Sequence, residues 1–245
     1  MTWILANLGL IGDLMLVHLR LSLIPVVVSI LVAVPLGRLA HRVGWLRGGV
    51  LSVVGLLYTI PSLALITLLP PLLGTPVLSD VNVLVALGLY GVALLTRSVA
   101  DAFDAVDADV VRSAMAVGYT PLRRFWTVEL PLAVPVIVAG TRVVAVSTVS
   151  LVTVGALVGS RNLGSLFTDG LQRGIVPEIV AGIVATVVLA LVLDLVIAAV
   201  GRALTPWARV SGTSGAARRA SRRRAHRAEV PGTAAEDAVT GGGAA

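Results

Sequence analysis

The sequence contains no cysteine and no lysine, and charged residues make up only 13% of its 245 residues. Without cysteine, disulfides and thiolate metal sites are excluded. A soluble domain carries about a quarter charged residues, so a water-facing surface would lack polar groups here. Because 57% of the residues are hydrophobic and the mean hydropathy is +0.97, we predict an integral membrane protein, for which the bilayer is the solvent.

Two kinds of motif are also absent. No GxxxxGK[ST] phosphate loop occurs, so the chain is not expected to hold ATP itself. Residues 1–17 contain no arginine, and no small-residue cleavage pattern follows them, so we do not predict a cleaved signal peptide. We expect residues 1–15 to form a short external or interfacial segment.

Runs without charge predict the first two membrane spans. Seventeen uncharged residues separate Arg20 from Arg38, which is about 25 Å of helix and enough for a span with its flanks. The uncharged run 48–79 would extend about 48 Å as one helix, longer than a hydrocarbon layer of about 30 Å. This run therefore predicts a span and a connection. The residues expected to end the helix are Pro70, Pro71, Gly74 and Pro76.

Three further spans are expected at about 81–100, 131–158 and 177–204. The predicted fold is therefore all-α, a polytopic transmembrane bundle of about five spans over residues 16–207. With the N-terminus outside, eight arginines lie near the inner span ends and three near the outer ends. This bias predicts an inner-membrane protein with the N-terminus out and the C-terminus in.

The net charge of +6 does not indicate nucleic acid binding, because seven of the 19 arginines follow Pro206. Residues 208–245 combine a basic run with an end rich in glycine, alanine and threonine. Such a composition cannot bury enough apolar surface to fold. We predict a disordered cytoplasmic tail whose arginines contact anionic lipid.

The longest polar stretch between spans, residues 101–130, is predicted to form a cytoplasmic helix-turn-helix. Gly118 suits a left-handed helix end, and Thr120 suits an N-cap with Pro121 at the first helical position. Pro131 is expected to start the fourth span. A loop of this size between two spans is a platform for a soluble partner.

This loop resembles the motif of importer permeases of the ABC class: Glu-Ala-Ala, three residues, Gly, nine residues, then a hydrophobic residue, any residue and Leu-Pro. The sequence has Arg at the family's Glu position, which puts the family's acidic contact to the ATPase in question; Asp107 and Asp109 are candidate replacements. The segments YTIPSLALITLLPPLLG, LPLAVPVIVAGTRVVAV and GALVGSRNLGSLFTDGLQRG resemble osmoprotectant permeases of the glycine betaine, choline, carnitine and proline betaine group. The matching motif positions are Arg112, Ser113, Ala114, Gly118, Val128, Leu130 and Pro131.

The resemblance implies a permease subunit for ATP-driven import of a compatible solute, not an enzyme. It further implies that ATP and Mg²⁺ are bound by a pair of partner ATPase subunits that dock on residues 101–130. The other implied partners are a second permease subunit, identical or different, and an extracytoplasmic solute-binding protein. Within this scheme the chain itself has no cofactor, metal site or catalytic residue.

Two alternatives stay open at this point. Asp101, Asp104 and Asp107 are spaced like the Mg²⁺ ligands of membrane-embedded transferases, although acidic residues in a first helical turn also favour the helix macrodipole. The second alternative is an ABC permease for another small solute, such as an amino acid.

Polar side chains inside the apolar runs are candidates for the translocation path, although each also suits helix packing. Arg142 and Asp194 are the only charges well inside the last two spans. They lie about 16 and 15 Å from the same membrane surface at helical rise, so we predict an ion pair. The candidate path residues are Thr59, Pro61, Ser62, Thr141, Ser147 and Thr148.

Overall fold

The long helices follow the uncharged runs of the sequence. The computed structural model describes residues 2–207, and the predicted tail 208–245 lies outside them. The described residues form helices and no strand, in a compact unit that ends at Leu204. The helices are α1 (Thr2–Ala6), α2 (Leu8–Arg42), α3 (Gly44–Thr59), α4 (Ser62–Leu73), α5 (Asp80–Asp104), α6 (Ala108–Ala116), α7 (Pro121–Arg124), α8 (Leu130–Val154), α9 (Ser165–Arg173) and α10 (Val176–Leu204).

The predicted all-α bundle of about five spans is confirmed. Four helical segments are long and apolar enough to cross a membrane, namely Leu8–Arg42, Asp80–Asp104, Pro121–Val158 and Val176–Leu204. The pair α3 and α4 passes the same test together, with a bend of 101° between its halves. It makes a fifth span if it crosses as one unit.

The helix bounds at the N-terminus differ from those predicted. We expected a boundary near residue 15, but α2 runs without a break from Leu8 to Arg42. Pro25 and Pro35 lie inside this helix and do not end it. The N-terminal part of α2 is held by packing, since Leu14 is buried in an apolar cluster with Leu163 and Leu166.

The second span bends at residues 60 and 61, and the first two prolines expected to end its helix do not end it. Pro70 and Pro71 lie inside α4, whereas the chain turns at Ile60 and Pro61, where both residues are extended. The residue before a proline is disfavoured in the α region, and this accounts for the break. The Tyr90 hydroxyl of α5 donates a hydrogen bond to the freed carbonyl of Ile60. The predicted stop at Gly74 is present, with a left-handed φ of 65°.

The core lies where α2, α5 and α8 meet. It contains fully buried Ala33, Leu95 and Val149. His18 of α2 is also fully buried, and its Nε2 lies 3.0 Å from the Val149 carbonyl oxygen of α8. This contact links two spans through a backbone group, as expected for a polar side chain enclosed among apolar helices.

The two ends of the bundle differ in their contacts. At one end, His41 of α2 and Asp104 of α5 are joined at 2.7 Å, beside residues 101–130; we call this the loop end. Residue 8, at the start of α2, lies about 50 Å along the helix from this point. We call that opposite end the far end. There the Ser160 hydroxyl donates to the Asp80 carboxylate at 2.7 Å.

Candidate functional site

The first helix of the polar loop is α6, and it ends in the left-handed turn predicted at Gly118. Asp107 caps its start, accepting a hydrogen bond from the Asp109 amide at 2.7 Å. At its end, Gly118 has a φ of 86°, its amide donates to the Met115 carbonyl, and the Tyr119 amide donates to the Ala114 carbonyl. This pair of bonds is a Schellman motif, which fixes the direction in which the chain leaves α6.

The second helix of the loop starts as predicted but does not stop before the span. Thr120 caps it, accepting from the Arg123 amide at 3.4 Å, and Pro121 occupies the first turn. The helix then continues through α8 as one segment, Pro121–Val158. Pro131, predicted to start the fourth span, lies in the first turn of α8, and the turn before it is already helical.

That turn is a π-helix over residues Phe125–Glu129, in which the Leu130 amide donates to the Phe125 carbonyl. Proline at 131 has no amide hydrogen and its ring crowds the carbonyl four residues before it. A wider turn at this point accommodates the proline. π-helical turns occur frequently at functional sites.

Two contacts fix the π turn to the rest of the bundle. Across the turn, the Arg124 guanidinium donates through Nε to Glu129 at 2.6 Å, and both side chains are largely buried. On its inner side, the Arg38 guanidinium of α2 stacks over the Phe125 ring at 3.3 Å. The π turn is therefore in direct contact with α2 and continuous with α8.

The outer face of the loop exposes apolar side chains. No residue of α6 is buried, and Val117 and Leu122 are 78% and 66% exposed. Exposed apolar groups rimmed by polar ones mark protein interaction surfaces, and this set faces away from the bundle core. It consists of Val110, Met115, Val117, Leu122 and Trp126.

Arg112 also lies on the exposed side of α6 and pairs with Asp109 one turn before it. Of the two carboxylates considered as replacements for the missing acidic contact, Asp107 is occupied as the N-cap. Asp109 is 78% exposed and accessible to a partner. Ser113 is exposed and Ala114 partly buried, while Val128 and Leu130 are partly buried on the π turn and the start of α8.

The acidic residues proposed as transferase ligands are engaged in other contacts. Asp104 bonds both His41 and Arg47, and Asp101 lies 3.5 Å from the same arginine. Among residues 2–207, no group of three or more His, Cys, Asp or Glu side chains is arranged to hold a metal ion. These ion pairs tie the starts of α3 and the loop to the ends of α2 and α5.

The structure brings the two intramembrane charges together. Arg142 of α8 donates through Nε and Nη2 to the two carboxylate oxygens of Asp194 on α10, both at 2.7 Å. The pair lies on the face of these helices that is turned away from the bundle core, with the arginine side chain 44% exposed.

The candidate path residues do not form one cluster. Thr59 and Pro61 are exposed and Ser62 is partly buried at the α3–α4 bend. On α8, Thr141 is buried and donates back to the Ile137 carbonyl at 2.9 Å, Thr148 is buried, and Ser147 is partly buried. The Thr141 hydroxyl is therefore bonded within its own helix in this conformation, whereas the residues of the bend are accessible.

Sequence reasoning missed one charged residue, Glu178. It is 2% exposed in the first turn of α10. The available signal was a lone carboxylate just inside the most apolar run of the chain.

Comparison with known proteins identifies the type of molecule. Residues 25–210 match the family described as the binding-protein-dependent transport system inner membrane component. The chain belongs to this family. It is therefore a multi-pass inner-membrane permease, a transport subunit that works with an ATPase and a solute-binding protein, and the transferase alternative is wrong.

Two relatives of the permease have assigned functions. It is 35% identical over 154 residues to the choline transport system permease protein OpuBB of Bacillus subtilis, covering 63% of this chain and 70% of that one. It is 34% identical over 174 residues to the osmoprotectant import permease protein OsmW of Salmonella typhimurium, covering 69% and 80%.

The fold is that of a solved ABC transporter. The structure superposes on a chain of the MetNI methionine ABC transporter in an inward-facing conformation with a TM-score of 0.72 and 20% identity. The superposition covers 82% of this chain and 98% of that one. At this identity the likeness establishes the fold of the permease alone.

Proposed function

We propose that the permease forms the translocation path for ATP-driven import of a compatible solute that carries a quaternary ammonium group, such as glycine betaine, choline or carnitine. The observation that carries this proposal is its likeness to a choline permease and an osmoprotectant permease over about two thirds of its length. The same assignment includes an N-terminus outside, a C-terminus inside, and a second permease subunit in the complex.

In this proposal the energy comes from ATPase subunits that dock on residues 101–130. The exposed apolar set on α6 and α7 supplies the contact area, and the Schellman turn at Gly118 holds α6 at a fixed angle to α7. Because α7, the π turn and α8 are continuous, a displacement of the loop by the ATPase would be transmitted directly to a span. ATP itself would be held by the partner subunits.

The test is uptake by a reconstituted complex. The permease is co-purified with its partner ATPase and solute-binding protein and placed in proteoliposomes with ATP inside. We expect ATP-dependent accumulation of at least one of radiolabelled glycine betaine, choline or carnitine. Accumulation of amino acids, without accumulation of any of these three solutes, would overturn the substrate assignment. It would favour an ABC permease for amino acids.

A further inference from the structure

A cavity of about 340 Å³ lies at the far end of the bundle. It is opposite to residues 101–130, which we call the coupling loop. Its walls come from the start of α2, the segment between α8 and α9, α9 itself, and the first turn of α10. The walls combine apolar side chains of Leu10, Leu14 and Leu166 with the charged side chains of Arg161, Asp169 and Glu178. None of these residues belongs to the coupling loop or to the candidate path discussed above.

Glu178 is the unusual member of this lining. It is 98% buried, and its Oε2 has no hydrogen-bond partner among the described residues. Buried carboxylate oxygens are normally hydrogen-bonded or paired with a cation. The macrodipole of α10 favours an anion in the first turn, but it leaves this oxygen without a partner. Glu178 lines the cavity, so a group that enters the cavity lies next to this side chain.

The two other charges of the cavity are also unpaired. Within residues 2–207, neither Asp169 nor Arg161 has an oppositely charged side chain within 4 Å. Two carboxylates against one guanidinium give the lining a net negative charge. This distribution suits a cationic group held at Glu178 and Asp169, with Arg161, which is exposed, near any carboxylate on the same solute.

The cavity walls are fixed by internal bonds. Fully buried Asn162 donates to the Ser160 carbonyl at 3.1 Å and accepts from the Gly164 amide at 2.7 Å. On the other wall, α9 and α10 approach so closely that a Cβ on Gly170 would lie 2.7 Å from the Ile179 side chain. This contact places Asp169 and Glu178, the chain neighbours of these two residues, beside one cavity.

The lining favours an organic cation over a metal ion. Calcium requires six to eight oxygen ligands, and magnesium requires octahedral geometry with several retained waters. The cavity offers two carboxylates and three leucine side chains, together with the hydroxyls of Ser160, Ser165 and Thr168, which are already bonded within the protein. Across the part of the chain that the structure describes, residues 2–207, no group of three or more His, Cys, Asp or Glu side chains is arranged to hold a metal ion. We infer that this cavity binds the ammonium group of a small organic cation, with Glu178 as the main counter-charge and Asp169 as the second. The choice of ammonium solute rests on the proposed function.

The test uses the purified full-length permease in nanodiscs free of phosphatidylcholine, so that no lipid choline competes. The probes are radiolabelled choline, unlabelled glycine betaine, and 3,3-dimethyl-1-butanol, the uncharged carbon analogue of choline. We expect saturable choline binding that glycine betaine displaces and the uncharged analogue does not. The trimethylammonium group of choline has no N–H and interacts with Glu178 through charge alone. Glu178→Gln removes that charge and should weaken choline binding about tenfold, which corresponds to about 1.4 kcal/mol.

The matched control is Asp13→Asn, which removes an exposed carboxylate on α2 next to the cavity-lining Leu14 and should leave binding unchanged. Asp169→Asn should weaken binding less than Glu178→Gln, because Asp169 is partly exposed to water. If Glu178→Gln unfolds, the wild-type protein still tests the inference, because the uncharged analogue should fail to displace choline from it. Equal competition by the analogue would overturn the inference, as would a loss below about threefold in folded Glu178→Gln.

Two further outcomes separate this inference from the proposed function. Uptake of glycine betaine by the reconstituted complex, with no choline binding by the permease, would overturn the site and leave the function standing. Binding at Glu178 with no uptake of any ammonium solute would leave the site standing and overturn the proposed function. If Glu178→Gln weakens only the association of the solute-binding protein, the cavity receives a basic side chain of that protein and the inference is wrong.

Discussion

Arg142 of α8 and Asp194 of α10 form a bidentate ion pair, with both N–O distances at 2.7 Å. Arg142 lies eleven residues after Pro131, and Asp194 lies ten residues before Leu204. Two antiparallel helices that share a membrane surface place such residues at equal depth, which is how the pair was predicted. An arginine in a bilayer is tolerated when it is paired or in contact with water.

The ion pair predicts a non-additive response to mutation. Arg142→Ala and Asp194→Ala should each lower the melting temperature of the detergent-purified permease, because each leaves one charge without its partner. The double variant should lose less than the sum of the two single losses, since neighbouring residues of one pair are coupled. Losses that add would mean that the two charges act independently.

Gly118 predicts a separation between folding and coupling. No atom lies within 4 Å of a Cβ built at this position, so only the left-handed φ of 86° opposes a larger residue. A β-branched side chain there is strained by about 1–2 kcal/mol. We expect Gly118→Val to insert normally but to lose ATPase association and transport, as measured by co-purification and uptake.

The control for Gly118 uses two substitutions. Gly118→Asn should keep most of the activity, because asparagine visits the left-handed region readily. Gly48→Val places the same β-branched residue in α3, where nothing lies within 4 Å and φ is negative, and it should leave transport unaffected. Wild-type uptake by Gly118→Val would contradict the role of this turn.

Local chemistry explains which parts of the coupling loop were predictable. The cap at Thr120 and the left-handed turn at Gly118 depend on the residue itself and its immediate neighbours, so the sequence was sufficient. The π turn was not predictable. Pro131 and Arg124 favour it locally, but it also depends on the packing of Phe125 against Arg38 of α2, which only the folded structure shows. Charge-free runs similarly indicated the number of spans.

Contacts between distant segments add what the local sequence does not show. The bend after Thr59 is supported by the hydroxyl of Tyr90, 30 residues away in the sequence from Ile60. Glu178 becomes a candidate site residue only when α2, α9 and the segment after α8 surround it. Its burial is a tertiary property, and a single carboxylate near a span end carries no such information in the sequence.

The proposed orientation is tested by cysteine labelling, for which the absence of native cysteine provides a clean background. Ser79 and Ser165 lie at the far end and are partly exposed, whereas Ser113 is exposed on α6. Replacing each by cysteine is nearly isosteric. We expect Ser79→Cys and Ser165→Cys to react with a membrane-impermeant maleimide on intact cells, and Ser113→Cys to react only after lysis. Labelling of Ser113→Cys on intact cells would reverse the orientation.

Close packing of α2 on α5 predicts a strong effect at Gly37. A Cβ there would lie 2.6 Å from Cγ1 of Val99 and 3.0 Å from the Ala100 amide nitrogen. Because small residues let transmembrane helices approach, Gly37→Ala should destabilise by about 1–3 kcal/mol through overpacking. Gly55→Ala, on a helix surface with nothing within 4 Å, should be neutral or stabilising by up to about 1 kcal/mol. Equal melting temperatures for both variants would contradict this packing.

The π turn yields the last prediction, because Arg124 and Glu129 are five residues apart. In an α-helix, neighbours on one face are three or four residues apart, so this contact at 2.6 Å exists only while the turn is π-helical. The two side chains are 17% and 10% exposed. Removing one member of a buried pair destabilises by about 3–5 kcal/mol, whereas replacing both by apolar residues is often neutral.

Glu129→Leu should therefore lower the melting temperature strongly, and Arg124→Leu combined with Glu129→Leu should recover most of it. If the pair holds the π turn in the conformation that transmits loop motion to α8, the recovered double variant should still transport poorly. Arg173→Ala, which removes an exposed arginine at the end of α9 and away from the loop, serves as the control and should change neither property. A double variant that is stable and transports at the wild-type rate would show that the pair stabilises the permease without a part in coupling.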